Sequence, residues 1–265
     1  MSATNILYLT SRCNFDCEYC YEHRDKENMR IFDLSEEEAR KSIDEIMARE
    51  SDPNKQTMIV LFGGEPTLNW DVCKDAILYA YSLKQNVFFC LSTNGWKFRH
   101  DDFCRDFARL ACNVNYQIGL DLSFDGVGNH RRVLLGGHST TDGMYRVLKN
   151  VHRYNIRYNL RYTVHAGNHE MAADDVATMD KFFKPEKFVL SYDTGDIGID
   201  TVNNVKTKLR EYFRNGIIRR PICNDVCDIC RKCDINRPIS YWAGNNIRNL
   251  ACGENATDFK DFNDE

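Results

Sequence analysis

Six short apolar runs, each followed by a stretch of helical periodicity, constrain the fold of this chain more than any single motif does. The runs are Asn5 to Thr10, Thr57 to Phe62, Val87 to Leu91, Ile118 to Phe124, Tyr158 to Val164 and Phe188 to Tyr192. After the first comes a cysteine-bearing loop, then Ser35 and Glu38 in a capping-box pattern with Ala39, Ile43, Ile46 and Met47 at helical spacing. Further helical patterns span Trp70 to Leu83, Asp102 to Ala111, Asp142 to Tyr154, Glu170 to Phe183 and Asn203 to Phe213. Strand and helix in strict alternation predict a parallel α/β sheet. The unbroken run Thr57-Met58-Ile59-Val60-Leu61-Phe62 has the character of a strand buried on both faces. Six units are too few for a closed eight-stranded barrel and suit an open, partial one.

In parallel α/β sheets, ligands bind at the carboxyl ends of the strands, and there the unusual residues of this chain fall. The first run leads into Cys13-Asn14-Phe15-Asp16-Cys17-Glu18-Tyr19-Cys20, the second into Gly63-Gly64-Glu65-Pro66 and the third into Ser92-Thr93-Asn94-Gly95. The fourth leads into Ser123-Phe124-Asp125-Gly126, the fifth carries Arg161 and ends near Asn168, and the sixth ends in Ser191-Tyr192-Asp193. Three thiols so closely spaced converge on one centre, and soft sulfur selects zinc, copper(I) or iron–sulfur. Three ligands leave a four-site centre open at one position, which is what a catalytic metal needs; a small zinc knuckle is the alternative.

Near the end of the chain Cys223, Cys227, Cys230, Cys233 and Cys252 form a second group. Its internal spacing matches the first ligands of a ferredoxin cluster, with a zinc site as the alternative. Cys73, Cys90, Cys104 and Cys112 stand singly in apolar-periodic segments and read as core. Twelve cysteines in 265 residues, crowded at two places and preceded by no signal segment, point to a reduced, cytoplasmic, metal-binding protein. A net charge of −4 gives no electrostatic case for nucleic acid or an anionic membrane. No apolar run reaches the ~18 residues of a membrane span. Any one of His130, His138, His152, His165 and His169 could serve as acid or base, and each is more simply a surface or structural residue.

In their order these motifs resemble the radical S-adenosylmethionine (SAM) superfamily, over roughly Asn5 to Asp193. The fold this implies is a partial (β/α)6 barrel of the radical SAM type with a small C-terminal cysteine-rich extension. The resemblance implies a [4Fe-4S] cluster on Cys13, Cys17 and Cys20, to which SAM binds through its amino and carboxylate groups. It places Tyr19 near the adenine, and Gly63, Gly64 and Glu65 at the amino group of SAM. It likewise makes Ser92, Asn94, Ser123 and Asp125 cofactor contacts and pairs Arg161 with the methionyl carboxylate, a surface salt bridge being the plain alternative for Arg161. The activity implied is reductive cleavage of SAM to methionine and a 5′-deoxyadenosyl radical that takes hydrogen from a substrate, the electron coming from a donor such as flavodoxin or ferredoxin.

The stretch from Asp125-Gly126 through Arg131-Arg132, Gly136-Gly137 and Tyr145-Arg146-Val147 to Asn168 is similar to members with a SPASM or twitch extension. That similarity implies one auxiliary iron–sulfur cluster on four of Cys223, Cys227, Cys230, Cys233 and Cys252, and a ribosomally made peptide or protein side chain as substrate. The expected organisation is a partial barrel over 1–216, the extension over 217–256 and an acidic tail over 257–265. Little chain precedes the first run, so a peptide substrate implies a separate recognition protein or a short peptide. The alternatives are the same radical chemistry on a small molecule or nucleoside, and an iron–sulfur electron-transfer protein.

Overall fold

The computed structural model describes residues 4–20, 31–50, 52–126, 131–223, 238–243 and 246–251, with Cys223 and the last two stretches as backbone alone. Along these residues the six expected strand–helix units occur in order: β1 (Thr4–Thr10) with α1 (Glu36–Arg49), β3 (Thr57–Gly63) with α2 (Trp70–Leu83), and β4 (Val87–Thr93) with α3 (Asp101–Asn113). They continue as β5 (Ile118–Ser123) with α4 (Thr141–Arg153), β7 (Tyr158–Val164) with α5 (Ala172–Phe182), and β8 (Phe188–Tyr192) with α6 (Thr194–Arg214). Five further strands lie outside that alternation: β2 (Phe15–Cys17), β6 (Arg132–Leu134), β9 (Ile222–Cys223), β10 (Pro238–Ala243) and β11 (Asn246–Ala251).

The residues group into two compact units, one from Met1–Cys13, Tyr19–Phe89 and Asp234–Glu265, the other from Asn14–Glu18 and Cys90–Cys233. In the first unit β1 is flanked by β3 and β10, both parallel to it, and β11 pairs antiparallel with β10. The capping box at α1 is complete, with Ser35 accepting from Glu38 N and Glu38 reaching back to Ser35 N, so the helix starts where the sequence predicts. Strand β3 departs from expectation. Thr57, Ile59, Leu61 and Gly63 are buried but Met58, Val60 and Phe62 are only half-buried, so one face is open rather than both covered. On that face Phe62 lies in register with Tyr8, their rings edge to face at 5.8 Å.

In the second unit β5, β7, β8 and β9 pair in parallel, in that order. Leu120, Leu122, Leu160, Tyr162, Val164 and Leu190 form its buried face, each such side chain worth about 1.5–3 kcal/mol. The Tyr162 hydroxyl donates to Asp175 on α5 at 3.0 Å, which fixes that helix against β7. Strands β2 and β6 form a separate antiparallel ribbon. Helix α6 begins nine residues before its expected start at Asn203, and Gly198 (φ 72°) breaks it near its first turn. Of the cysteines expected in the core, Cys73, Cys90 and Cys104 are buried, but Cys112 is exposed. It follows Ala111, the last buried position of the apolar stripe of α3, and so turns away from the core.

Candidate functional site

The backbone leading to the cysteine loop is held from two sides. Ser11 N donates to Phe32 O at 3.1 Å, and Leu34 N to Leu9 O at 2.9 Å. Arg12 grips Asp33 through both Nε (2.9 Å) and Nη2 (2.8 Å), while Thr10 Oγ1 donates to the same carboxylate at 2.5 Å. From the other side Gly64 N donates to Thr10 O and Glu65 N to Arg12 O, each at 2.8 Å. Cys13 therefore leaves a backbone that is fully tied down.

This contact explains the paired glycines. A Cβ on Gly63 would run into Thr10 O, and one on Gly64 would lie 2.5 Å from Arg12 O. The close approach expected of Gly63 and Gly64 is thus made to the chain's own backbone. Glu65 is buried, and its Oε1 accepts from Thr67 N (3.0 Å) and Thr67 Oγ1 (2.6 Å), capping the 3-10 turn Pro66–Asn69.

Within the second unit, Asn94 closes the turn after β4. Its Nδ2 donates to Asn14 Oδ1 at 2.9 Å and its Oδ1 accepts from Trp96 N at 2.9 Å, so it anchors the stretch between the first two loop cysteines. Ser92 is buried two residues before it. The ribbon of β2 and β6 holds the rest of this stretch, with Leu135 N donating to Asn14 O and Glu18 N to Arg131 O, each at 3.1 Å. Arg131 also pairs with Glu18 (3.1 Å) and with Asp196 (2.8 Å), and Asp196 accepts from Ala166 N at 2.7 Å. Burial pushes the Cys17 thiol above its ordinary value, and the charge of Arg132 opposes that shift.

Asp125 is buried and accepts from Thr163 N at 2.9 Å, which pins the end of β5 to β7. Ser123 and Arg161 are register partners on the open face of the same two strands. Arg161 Nε lies 3.6 Å from Asp121 Oδ2, and Asp121 Oδ1 accepts from Asn159 Nδ2 at 2.7 Å. The Nε is buried with no hydrogen-bond partner among the described residues, yet the Arg161 side chain is 42% exposed. Asn14, Asp121, Asn159 and Thr163, which sequence reasoning did not single out, do much of this positioning. Asn159, Thr163 and Asp121 carried a signal, as polar residues at alternate positions of apolar strands, and Asn14 carried none.

Cys13, Cys17 and Cys20 are all reduced and part-exposed. Tyr19 and Cys20 group with the first unit together with Cys13, and Cys17 groups with the second. Among the described residues no three His, Cys, Asp or Glu side chains form a group that could hold a metal ion as they stand. The fit of an iron–sulfur cluster therefore rests on donor chemistry: three reduced cysteines in one short loop are the ligand type that iron–sulfur centres use, one short of four. Cys227, Cys230, Cys233 and Cys252 lie outside the described residues, and Cys223 is described only as the last residue of β9. No helix among the described residues is long and apolar enough to cross a membrane.

Comparison with curated proteins gave no match. Among solved structures, polyhistidine-tagged anSMEcpe with bound AdoMet is similar at a TM-score of 0.65 and 18% identity, covering 83% of this chain and 60% of that one. Native anSMEcpe with bound AdoMet and the Cp18Cys peptide gives 0.66 and 18%, covering 89% of this chain and 68% of that one. Streptococcus suis SuiB bound to precursor peptide SuiA gives 0.63 and 12%, covering 93% of this chain and 58% of that one. The chain thus spans between 58% and 68% of the length of these three proteins. At such identities the likeness shows the fold, the parallel α/β arrangement of the radical SAM partial barrel. A family model of the radical SAM superfamily matches residues 7–182, from the middle of β1 to the end of α5, and the chain therefore belongs to that superfamily.

Proposed function

We propose that this chain is an enzyme that holds a [4Fe-4S] cluster on Cys13, Cys17 and Cys20, binds SAM beside it, and takes a hydrogen atom from a peptide or protein side chain. The observation that carries the reading is the trio of reduced, part-exposed cysteines directly after β1 in a chain of this superfamily. The cluster and SAM together would supply one chemistry, the one-electron cleavage of a carbon–sulfur bond.

In this reading the half-exposed guanidinium of Arg161, steadied by Asp121 and Asn159, receives the SAM carboxylate. Glu65 takes the ammonium group, beside the turn that its Oε1 caps. Gly63 and Gly64 hold that carboxylate close to the loop, and Asn94 fixes the loop through Asn14. Tyr19 lies against the adenine, and Ser92, Ser123 and Asp125 complete the polar contacts. Residues 1–216 carry this chemistry, and 217–256 hold an auxiliary cluster on four of Cys223, Cys227, Cys230, Cys233 and Cys252, ahead of a tail over 257–265. A flavodoxin or ferredoxin supplies the electron, in the cytoplasm, where the seven described cysteines stay reduced. A peptide substrate is supported by what two similar structures hold, the Cp18Cys peptide in anSMEcpe and SuiA in SuiB.

Anaerobically reconstituted protein reduced with dithionite should release 5′-deoxyadenosine from SAM. Cys17→Ala should abolish that release, whereas Cys230→Ala should spare it and stop substrate turnover. Protein that carries its iron–sulfur absorbance yet never cleaves SAM, with or without peptide, would be an electron carrier instead.

A further inference from the structure

Strands β2 and β6 pair antiparallel with Cys17 opposite Arg132 and Phe15 opposite Leu134. Directly opposed residues present their side chains on one face of such a ribbon, so Cys17, Phe15, Arg132 and Leu134 share a face, and Asp16 and Val133 take the other. Arg132 is 6% exposed, and its guanidinium carbon stands 5.6 Å from the centre of the Phe15 ring. Phe15 is itself buried and meets the edge of Trp96 at 5.7 Å, and Arg99 stacks on the Trp96 ring at 4.1 Å. Thr140 Oγ1 donates to the Arg132 carbonyl at 2.5 Å and fixes β6. A cation is thus buried and held on the face that carries one of the loop thiols.

We propose that Arg132 is a positioning residue whose buried charge raises the reduction potential of the iron–sulfur cluster held by Cys17. The inference rests on the cluster assignment proposed above. Reduction adds one negative charge to the centre, and a fixed cation favours the more negative form, the more so where water is excluded. Arg132 therefore eases the arrival of the electron on which SAM cleavage depends.

The test is an EPR-monitored redox titration of full-length reconstituted protein, following the reduced-cluster signal that addition of SAM perturbs. Arg132→Met should lower the ratio of reduced to oxidised cluster at a fixed potential about tenfold, equivalent to about 59 mV for one electron, and Arg132→Lys should stay within about twofold of wild type. Leu134→Lys adds a second cation to the same face and should raise the ratio. Coincident titrations of wild type and Arg132→Met would overturn the inference, as would a Lys variant that falls as far as the Met variant, since shape rather than charge would then matter. Should Arg132→Met fail to hold iron, Leu134→Lys decides, and no rise overturns the inference. Wild-type protein that assembles no such cluster overturns the cluster assignment and this inference together, whereas coincident titrations overturn this inference alone.

Discussion

On the half-buried positions of β3 the first unit carries Met58, Val60 and Phe62, with Tyr8 beside them on β1. The same kind of position in the second unit carries Asp121 and Ser123 on β5 and Asn159, Arg161 and Thr163 on β7. The burial rhythm of β3 and β7 is identical residue for residue, so the fold leaves one face open in each and does not dictate its chemistry. In the first unit the polar work moves to the backbone, where Gly64 and Glu65 donate to Thr10 and Arg12 at the end of β1. In the second it stays with side chains, which pair with one another on the half-buried face, as Asn159 does with Asp121.

This contrast can be broken by substitution. If backbone contact is the role of Gly63, then Gly63→Ala should cost roughly 3 kcal/mol or more, because a Cβ meets Thr10 O and the φ of 142° is one that side chains disfavour. Denaturant titration would measure it, and a loss below about 1 kcal/mol would show that the loop can move aside. Arg161→Ala should do the reverse. It should weaken SAM binding by about 1.5–3 kcal/mol by titration calorimetry while folding stability changes by about 0.5 kcal/mol or less, since the side chain lies on the open face. Unchanged affinity would return Arg161 to an ordinary ion pair with Asp121.

The smallest effect concerns His165, just past β7, whose Nδ1 accepts from Gly167 N at 3.0 Å. Burial holds its imidazole below the ordinary value; Asp125, Asp196 and Asp193 pull it upward and Arg131 adds to the depression. The folded chain thus refuses a proton that the unfolded chain accepts, and stability should fall as pH drops below about 6.5 toward the folded value. His165→Gln should flatten that decline between urea midpoints taken at about pH 7.5 and about pH 5.5, and an equal decline in both proteins would assign it to the carboxylates.

Local signals make the alternating frame legible in the sequence. The Ser35 and Glu38 cap, the break after α1 and the apolar runs of β7 and β8 each lie within a few residues of what they determine. The open faces are harder to read. Met58, Val60 and Phe62 look like core because a half-covered apolar position has the same composition as a covered one. Gly63 and Gly64 announce a close approach without saying to what. The ribbon of β2 and β6 has three residues a strand and no strand-forming run, so its pairing depends on a partner far along the chain. The tie between Asn94 and Asn14 joins residues 80 positions apart, and nothing local marks either as the other's partner.

Strand β1 lies between β3 and β10, with Thr4 to Leu7 in register with Ile239 to Trp242. During synthesis that second neighbour does not exist until residue 243 has cleared the ribosome, so until then the first strand shows a bare hydrogen-bonding edge. The strand that leads into the cysteine loop therefore gains its second neighbour only late in translation, when nearly the whole chain has been made.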